Sequence, residues 1–205
     1  SYSEFLREWA SGFAGNNRIV CKDPAALGSY LRQNFLVLRR TRAEVGLELP
    51  PVNKIVHTID YDEKLMEKDI ELAKTLAIQA MTGSFVESGD ASRKLNALLR
   101  HSTVVSKAPF VAEYVKMLLD NNIPVILAGW HREVYSIWAE LLAEYNPVFY
   151  TGTESPSKKN EAFNAFRSGK TNLFIISLRS GAGLDGLQDC CHYIVFGELD
   201  YSPKI

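Results

Sequence analysis

Cysteine is scarce in this sequence. There are three, Cys21, Cys190 and Cys191, and two of them are adjacent. They make no disulfide framework and no C-x-x-C metal pair. The composition predicts a reducing, intracellular compartment. Charge of one sign is lacking too: 23 Lys+Arg stand against 24 Asp+Glu, for a net charge of -1. Any nucleic-acid contact must then come from local basic patches, because the overall field supplies none. No apolar run is long enough to span a membrane, and the opening S-Y-S-E-F-L-R-E-W lacks the basic-then-apolar layout of a signal peptide. An initiator Met, internal repeats and low-complexity segments are also missing. With its last residues Ser202-Pro203-Lys204-Ile205, the chain reads as a piece cut from something longer.

What remains is ordinary globular material. At 205 residues and 46% hydrophobic content, the chain can bury a real core, in one domain or a domain plus an appendage. Tyr2, Phe5, Leu6 and Trp9 fall at helical spacing, predicting a first helix that ends near Gly12 to Gly15. Asp23-Pro24 is an N-cap followed by Pro at the first helical position. Pro50-Pro51 interrupts any helix, and the β-branched stretch 52–61 predicts a strand. Apolar residues then recur at helical spacing over 62–81, giving a long helix that breaks over 83–89. Leu95, Leu98 and Leu99 belong to another helix, so the first half is largely helical with one strand.

The second half alternates. Ser106 caps a helix with Phe110, Val111, Tyr114, Val115, Leu118 and Leu119 on one stripe. Strands at 124–128, 148–150, 172–177 and 193–196 enclose helices over 134–142 and from Ser155 to Gly169. Strict alternation predicts βαβ units and a parallel sheet covered on both faces, an α/β fold.

The run Leu173, Phe174, Ile175, Ile176 breaks at Ser177 into a turn with glycines at 181, 183 and 186. A loop at the carboxyl end of a parallel strand is where open α/β sheets bind ligands. Such a turn can equally be plain geometry. Cys190-Cys191-His192 invites a metal reading, but adjacent ligands rarely fit one tetrahedral ion, so no metal site is expected.

Four stretches together resemble one family, the second RecA-like lobe of Swi/Snf-type ATPases, the DNA-translocating branch of superfamily-two helicases. L-V-L-R-R-T-R-A-E-V-G-L-E-L-P-P (36–51) resembles the interlobe linker L-L-R-R-T-K-x-x-V-x-x-x-L-P-P. I-P-V-I-L-A-G-W-H-R (123–132) sits at the place of motif IV. F-Y-T-G-T-E-S-P-S-K-K-N-E-A-F-N-A-F (149–166) is similar to L-D-G-S-T-S-x-x-x-R-x-x-x-I-x-x-F. I-S-L-R-S-G-A-G-L-D-G-L-Q-D-C (176–190) resembles motif V, S-T-R-A-G-G-x-G-I-N-L-x-x-A. Asp200-Tyr201-Ser202-Pro203 follows where the family has D-W-N-P. The departures are Asp185 for Asn, Tyr201-Ser202 for Trp-Asn, a loose motif IV, and a chain that ends before the arginines of motif VI.

The resemblance implies a RecA-like parallel sheet preceded by a mainly helical insertion. It divides the chain into a helical tail of the first-lobe protrusion (1–35), linker and first strand (36–61), helical insertion (62–102) and second lobe (103–205). It implies an ATP hydrolase in the whole protein, with ATP and Mg2+ bound mainly by a first lobe, and double-stranded DNA as the partner. The Walker A lysine and D-E-x-H belong to that first lobe, so no catalytic residue is expected in this chain, and alone it should be inactive. Gly181 and Gly183 would line the nucleotide cleft and Asp185 would face the ribose hydroxyls. The bland alternative is a turn that Asp185 caps. Ser177 and Arg179 would face DNA phosphates, with loop packing as the other reading of Ser177. Thr151, Gly152 and Thr153 precede a helix N-terminus, an anion site for one phosphate to which Lys158 and Lys159 add charge; a plain capped surface helix is the other reading. Arg39, Arg40 and Arg42 form the densest basic cluster, either an interlobe brace or DNA contact, or a solvated run. His131 and Trp130 could touch DNA, though Trp130 reads better as core.

Two further readings stay open. One is a non-catalytic lobe that docks a protein partner. The other is a methyltransferase using S-adenosylmethionine, with S-G-A-G-L-D-G as its glycine loop; that loop normally follows the first strand of the sheet, and here it follows a late one.

Overall fold

The computed structural model describes residues 1–14, 18–40, 43–46, 51–181 and 183–200. These form two units, Ser1–Val56 and His57–Ile205. In the first, helix α1 (Tyr2–Trp9) opens with a capping box, Ser1 bonding the backbone of Glu4 while the Glu4 side chain reaches back. Strands β1 (Ala10–Ala14) and β2 (Arg18–Cys21) pair antiparallel, with a register irregularity between Ala10 and Gly12. Helix α2 (Pro24–Gln33) starts where expected, the Asp23 carboxylate accepting from Ala25 and Ala26 N–H at 3.0 and 2.9 Å. Neither helix of this unit buries a residue.

Two expectations fail here. The first helix gives way at Ala10 to a hairpin rather than running to the glycines. The strand expected over 52–61 is not formed: those residues have no ladder partner and are exposed apart from half-buried Ile59. β-Branched residues favour a strand only where a neighbouring strand and a buried face exist, and this stretch has neither.

The second unit begins with a helical hairpin. Asp62 caps α3 (Glu63–Thr82) through Lys64 and Leu65 N–H, and its own N–H donates to Ser106 carbonyl at 2.9 Å. Then α4 runs unbroken from Phe85 to Asp120, where two separate helices were expected; the boundary drawn between 102 and 103 lies inside it. Pro109 sits in its interior. A proline there removes one intrahelical N–H and crowds the preceding turn. Outside donors serve the carbonyls around it, Asp62 N–H on Ser106 and Trp138 Nε1–H on Ala108. These bonds tie the turn to the rest of the unit, while the carbonyl that Pro109 leaves without its intrahelical donor is that of Val105.

The sheet is wholly parallel, in the order β4 (Val148–Tyr150), β5 (Leu173–Ser177), β3 (Val125–Gly129), β6 (Tyr193–Phe196). Alternation along central β3 and β5 decides the layers. Val125, Leu127, Leu173 and Ile175 pack with Val111, Val115 and Leu118 of α4 and with Val134 and Trp138 of α5 (Arg132–Leu141). Ile126 and Phe174 face Ala162 and Phe166 of α6 (Pro156–Arg167), whose N-cap is Ser155. The α/β class and the helices on both faces hold. Along β6 the cover is incomplete, and Tyr193, Ile194 and Phe196 are each about half exposed.

Trp138 fixes how the strand ends meet. Its ring is fully buried, and a Cβ on Gly129 or Gly197 would lie 2.7 or 2.4 Å from it. Only glycine lets the ends of β3 and β6 close over the indole.

Candidate functional site

Because every strand runs the same way, all four carboxyl ends open on one edge of the sheet, the ligand side of such folds. The segments there are Gly129-Trp130-His131, Thr151–Glu154, the loop from Ser177 and Gly197–Asp200. Bonds beyond the ladders lock them: Leu178 N–H to Gly129 carbonyl at 2.9 Å, and Gly197 N–H to Ala128 carbonyl at 3.0 Å. Tyr135 Oη also donates to the Gly129 carbonyl, at 2.6 Å. Burial, with the charges of Glu198 and Glu154 adding to it, pushes the Tyr135 phenol well up, so the group stays a donor.

Just past β6, the outer strand on one side, lies Glu198, fully buried. Its carboxylate accepts the N–H groups of Trp130 and His131, both at 3.0 Å, and meets His131 Nδ1 at 2.7 Å. A buried charge persists only when paired and hydrogen-bonded in this way. Half-buried Lys107 faces it from α4; burial pushes the Lys107 pKa down and the charge of Glu198 partly opposes this. The His131 ring meets His101 edge-on, centroids 5.2 Å apart, and His101 Nε2 pairs with Glu133 at 3.1 Å.

The chain thus held carries Trp130, which is 38% exposed rather than core. Over its ring, 4.6 Å from the centroid, lies the guanidinium of Arg179. Arg179 Nε also faces the Asp200 carboxylate at 3.5 Å, with the arginine side chain 61% exposed and the aspartate 6%. Three strand ends (β3, β5 and β6) meet in this stack. Each contact is worth little in stability at so open a site, roughly 0.5–1 kcal/mol for the ring and less for the ion pair. Their effect is to aim an exposed cation.

Ser177 is buried, its hydroxyl donating to Ser180 Oγ at 2.8 Å and accepting Ser180 N–H at 3.2 Å. It shapes the turn. Gly183 is exposed at φ +86°, a conformation that glycine adopts without strain. Gly181 is half-buried, and Asp185 is exposed. Asp185 Oδ1 accepts from Gly186 N–H at 2.9 Å and Gln188 Nε2 at 3.2 Å, closing the turn it belongs to.

At the end of β4, Thr151 is buried and Thr153 exposed, and both turn their hydroxyls to one acid. Glu154 takes them: it accepts from Thr151 N–H at 2.6 Å, from Thr151 Oγ1 at 2.9 Å and from Thr153 Oγ1 at 2.7 Å. Burial raises the Glu154 pKa, but these donors outweigh it and leave the carboxyl below its ordinary value. Gly152 is exposed beside them. Lys158 is exposed, while Lys159 Nζ lies 5.1 Å from the Tyr150 ring centroid. Arg39 and Arg40 lie exposed in the first unit, and Arg42 is outside the described residues. The thiols are engaged locally, Cys190 with Leu187 carbonyl and Cys191 with Pro124 and Tyr193 carbonyls, and burial pushes both pKa values up.

Glu198, Glu154, Lys107 and Tyr135 do not announce themselves in the sequence. The one signal is an acid directly after an apolar strand and its closing glycine, in F-G-E (196–198).

No protein-family model matches the sequence, and comparison with curated proteins finds no match either. Solved structures do match. The chain is similar to the C-terminal part of the Fun30 ATPase domain, with TM-score 0.57 and 13% identity over 77% of this chain and 78% of that one. The C-terminal domain of the Sulfolobus solfataricus SWI2/SNF2 ATPase gives TM-score 0.48 and 12% identity over 67% and 68%. The Pyrococcus furiosus Hef helicase domain gives 0.37 and 20% over 62% and 29%. At 13% identity the first likeness establishes the fold alone: an α/β, RecA-like arrangement of the kind found in the C-terminal part of that ATPase domain. Among the described residues, no helix is long and apolar enough to cross a membrane.

Proposed function

We propose that this chain is the second motor lobe of an ATP-dependent double-stranded DNA translocase of the Swi/Snf type. The observation that carries the reading is the glycine loop after β5, which opens on the carboxyl edge of a RecA-like sheet and presents Arg179 to solvent. The fold shared with part of an ATPase domain supports it. Phosphoryl transfer in such motors asks for positioning and charge stabilisation rather than covalent chemistry from the protein. A first RecA-like lobe holds ATP and Mg2+; Gly181, Gly183 and Asp185 complete the cleft from this side. Arg179 grips DNA phosphate, with Ser177 shaping its turn, and Lys158, Lys159, Thr151, Gly152 and Thr153 lie along the same track. Arg39, Arg40 and Arg42 serve as linker brace or a further DNA contact. ATP binding closes the lobes, hydrolysis opens them, and alternating grips move the motor along one strand.

A second reading, a non-catalytic docking lobe, draws on one observation. The donors of Thr151 and Thr153, where a phosphate would sit, are already taken by Glu154.

Binding of the chain to a short labelled duplex, followed with salt, separates the two. Three phosphate contacts predict roughly a 40-fold loss of affinity between about 50 and 200 mM salt. ATP turnover by the chain alone should be nil. DNA-stimulated turnover by the chain alone, or no duplex binding at low salt, would overturn the proposal.

A further inference from the structure

The unusual feature of the carboxyl edge is an exposed tryptophan held rigidly from below. Glu198 clamps the backbone N–H groups of Trp130 and His131 with a fully buried carboxylate. The indole is the only one of the three in the sequence that is both on this edge and open to solvent, since Trp138 is buried and Trp9 belongs to the first unit. The same bonds that join the ends of β3 and β6 also fix the backbone beneath a side chain that stays in water. That side chain, the indole, carries the Arg179 guanidinium at 4.6 Å.

We propose that Trp130 is a positioning residue for DNA binding, a platform that pre-orients Arg179 toward a backbone phosphate, and that Glu198 is the fixture that sets the platform. This rests on the reading of Arg179 as a DNA contact. A free arginine side chain samples many rotamers, and ordering it on binding costs affinity. A guanidinium held over the ring face has part of that cost removed in advance and can still offer N–H groups at its edge to phosphate oxygens. The Asp200 carboxylate meets Arg179 Nε at 3.5 Å, a contact long enough to yield to a phosphate. Arg179 lies between a fixed aromatic face and an anion it can exchange.

The test uses the 205-residue chain and a short fluorescein-labelled duplex in an anisotropy titration. Arg179→Ala is expected to weaken binding and to reduce the salt slope by about one. Trp130→Ala is expected to weaken binding about two- to fivefold with the salt slope unchanged, because the phosphate contact survives but is no longer pre-oriented. Trp130→Phe, which keeps an aromatic face, should recover most of that loss. In the Arg179→Ala background, Trp130→Ala should cost nothing more, the signature of one residue acting through the other. If Trp130→Ala binds as the wild type does, or loses the same factor with and without Arg179, the platform is refuted while the DNA reading stands. If Arg179→Ala binds DNA like the wild type with an unchanged slope, the DNA reading of this loop fails, and the platform with it.

Discussion

Replacing Glu198 by glutamine tests how the carboxyl edge is built. The side chain is fully buried and makes three contacts, two at 3.0 Å with backbone N–H groups and one at 2.7 Å with His131 Nδ1. Glutamine keeps the shape, and its oxygen can still accept the two N–H groups. Hydrogen bonds to a charged acceptor contribute about 1.5–3 kcal/mol and neutral ones about 0.5–1.5, so each weakens by about 1 kcal/mol. The third contact changes sense, since an amide NH2 at that position can only donate to His131 Nδ1, and Lys107 loses the charge that partly compensates its burial. Against this, a neutral amide costs less to desolvate than a carboxylate. The balance is a destabilisation of about 2–3 kcal/mol, or about 4–12 °C in Tm for a unit of this size. A urea titration followed by far-UV circular dichroism reads it as a midpoint lowered by roughly 1–1.5 M at unchanged slope. Glu144→Gln is the control, an exposed acid paired with Lys116 at 3.3 Å, and should move stability by less than about 0.5 kcal/mol. A Glu198→Gln midpoint no lower than that control would show that the buried carboxylate does not hold the edge together.

Gly197→Ala would drive a methyl into the Trp138 ring, at 2.4 Å, and overpacking of this kind costs about 1–3 kcal/mol; a thermal melt equal to wild type would contradict the packing described. Glu154 supplies a pH dependence. Its pKa is lowered from 4.5 in the folded chain, so its contribution is present above that value and is lost as pH falls through the depressed one. Tm should therefore fall less steeply on the acid side in Glu154→Gln than in wild type, and equal slopes would remove the role given to the threonine donors. Glu154→Ala also frees those donors, so duplex affinity should rise if they form a phosphate site, and unchanged affinity would exclude them from the track.

The sheet was legible because its strands are short continuous apolar runs closed by glycine or polar turns, a pattern that survives without knowledge of their neighbours. Asp23 and Ser155 marked helix starts through chemistry confined to one turn. Three things were not local. The β-branched residues of 52–61 needed a partner strand and found none. Helix α4 runs on through Pro109, beside which Asp62 and Trp138, distant in sequence, bond the Ser106 and Ala108 carbonyls. Glu198 reaches Trp130 and His131 only because β6 lies beside β3, which brings residues 67 and 68 positions apart together. The same adjacency turned Trp130, read as core, into the exposed ring beneath Arg179. The glycine loop was placed correctly on the edge, while the occupant of the threonine cradle was hidden in an acid that looked like helix surface.

The most direct measurement of the central claim is a residue-resolved map of where duplex DNA touches the chain, taken from amide and indole NMR shifts during a titration. The account predicts the largest changes at the Trp130 indole N–H and the amides of Leu178 to Gly181, along the carboxyl edge of the sheet. Changes confined to the α3–α4 hairpin or the first unit, with Trp130 and the loop after β5 silent, would contradict it.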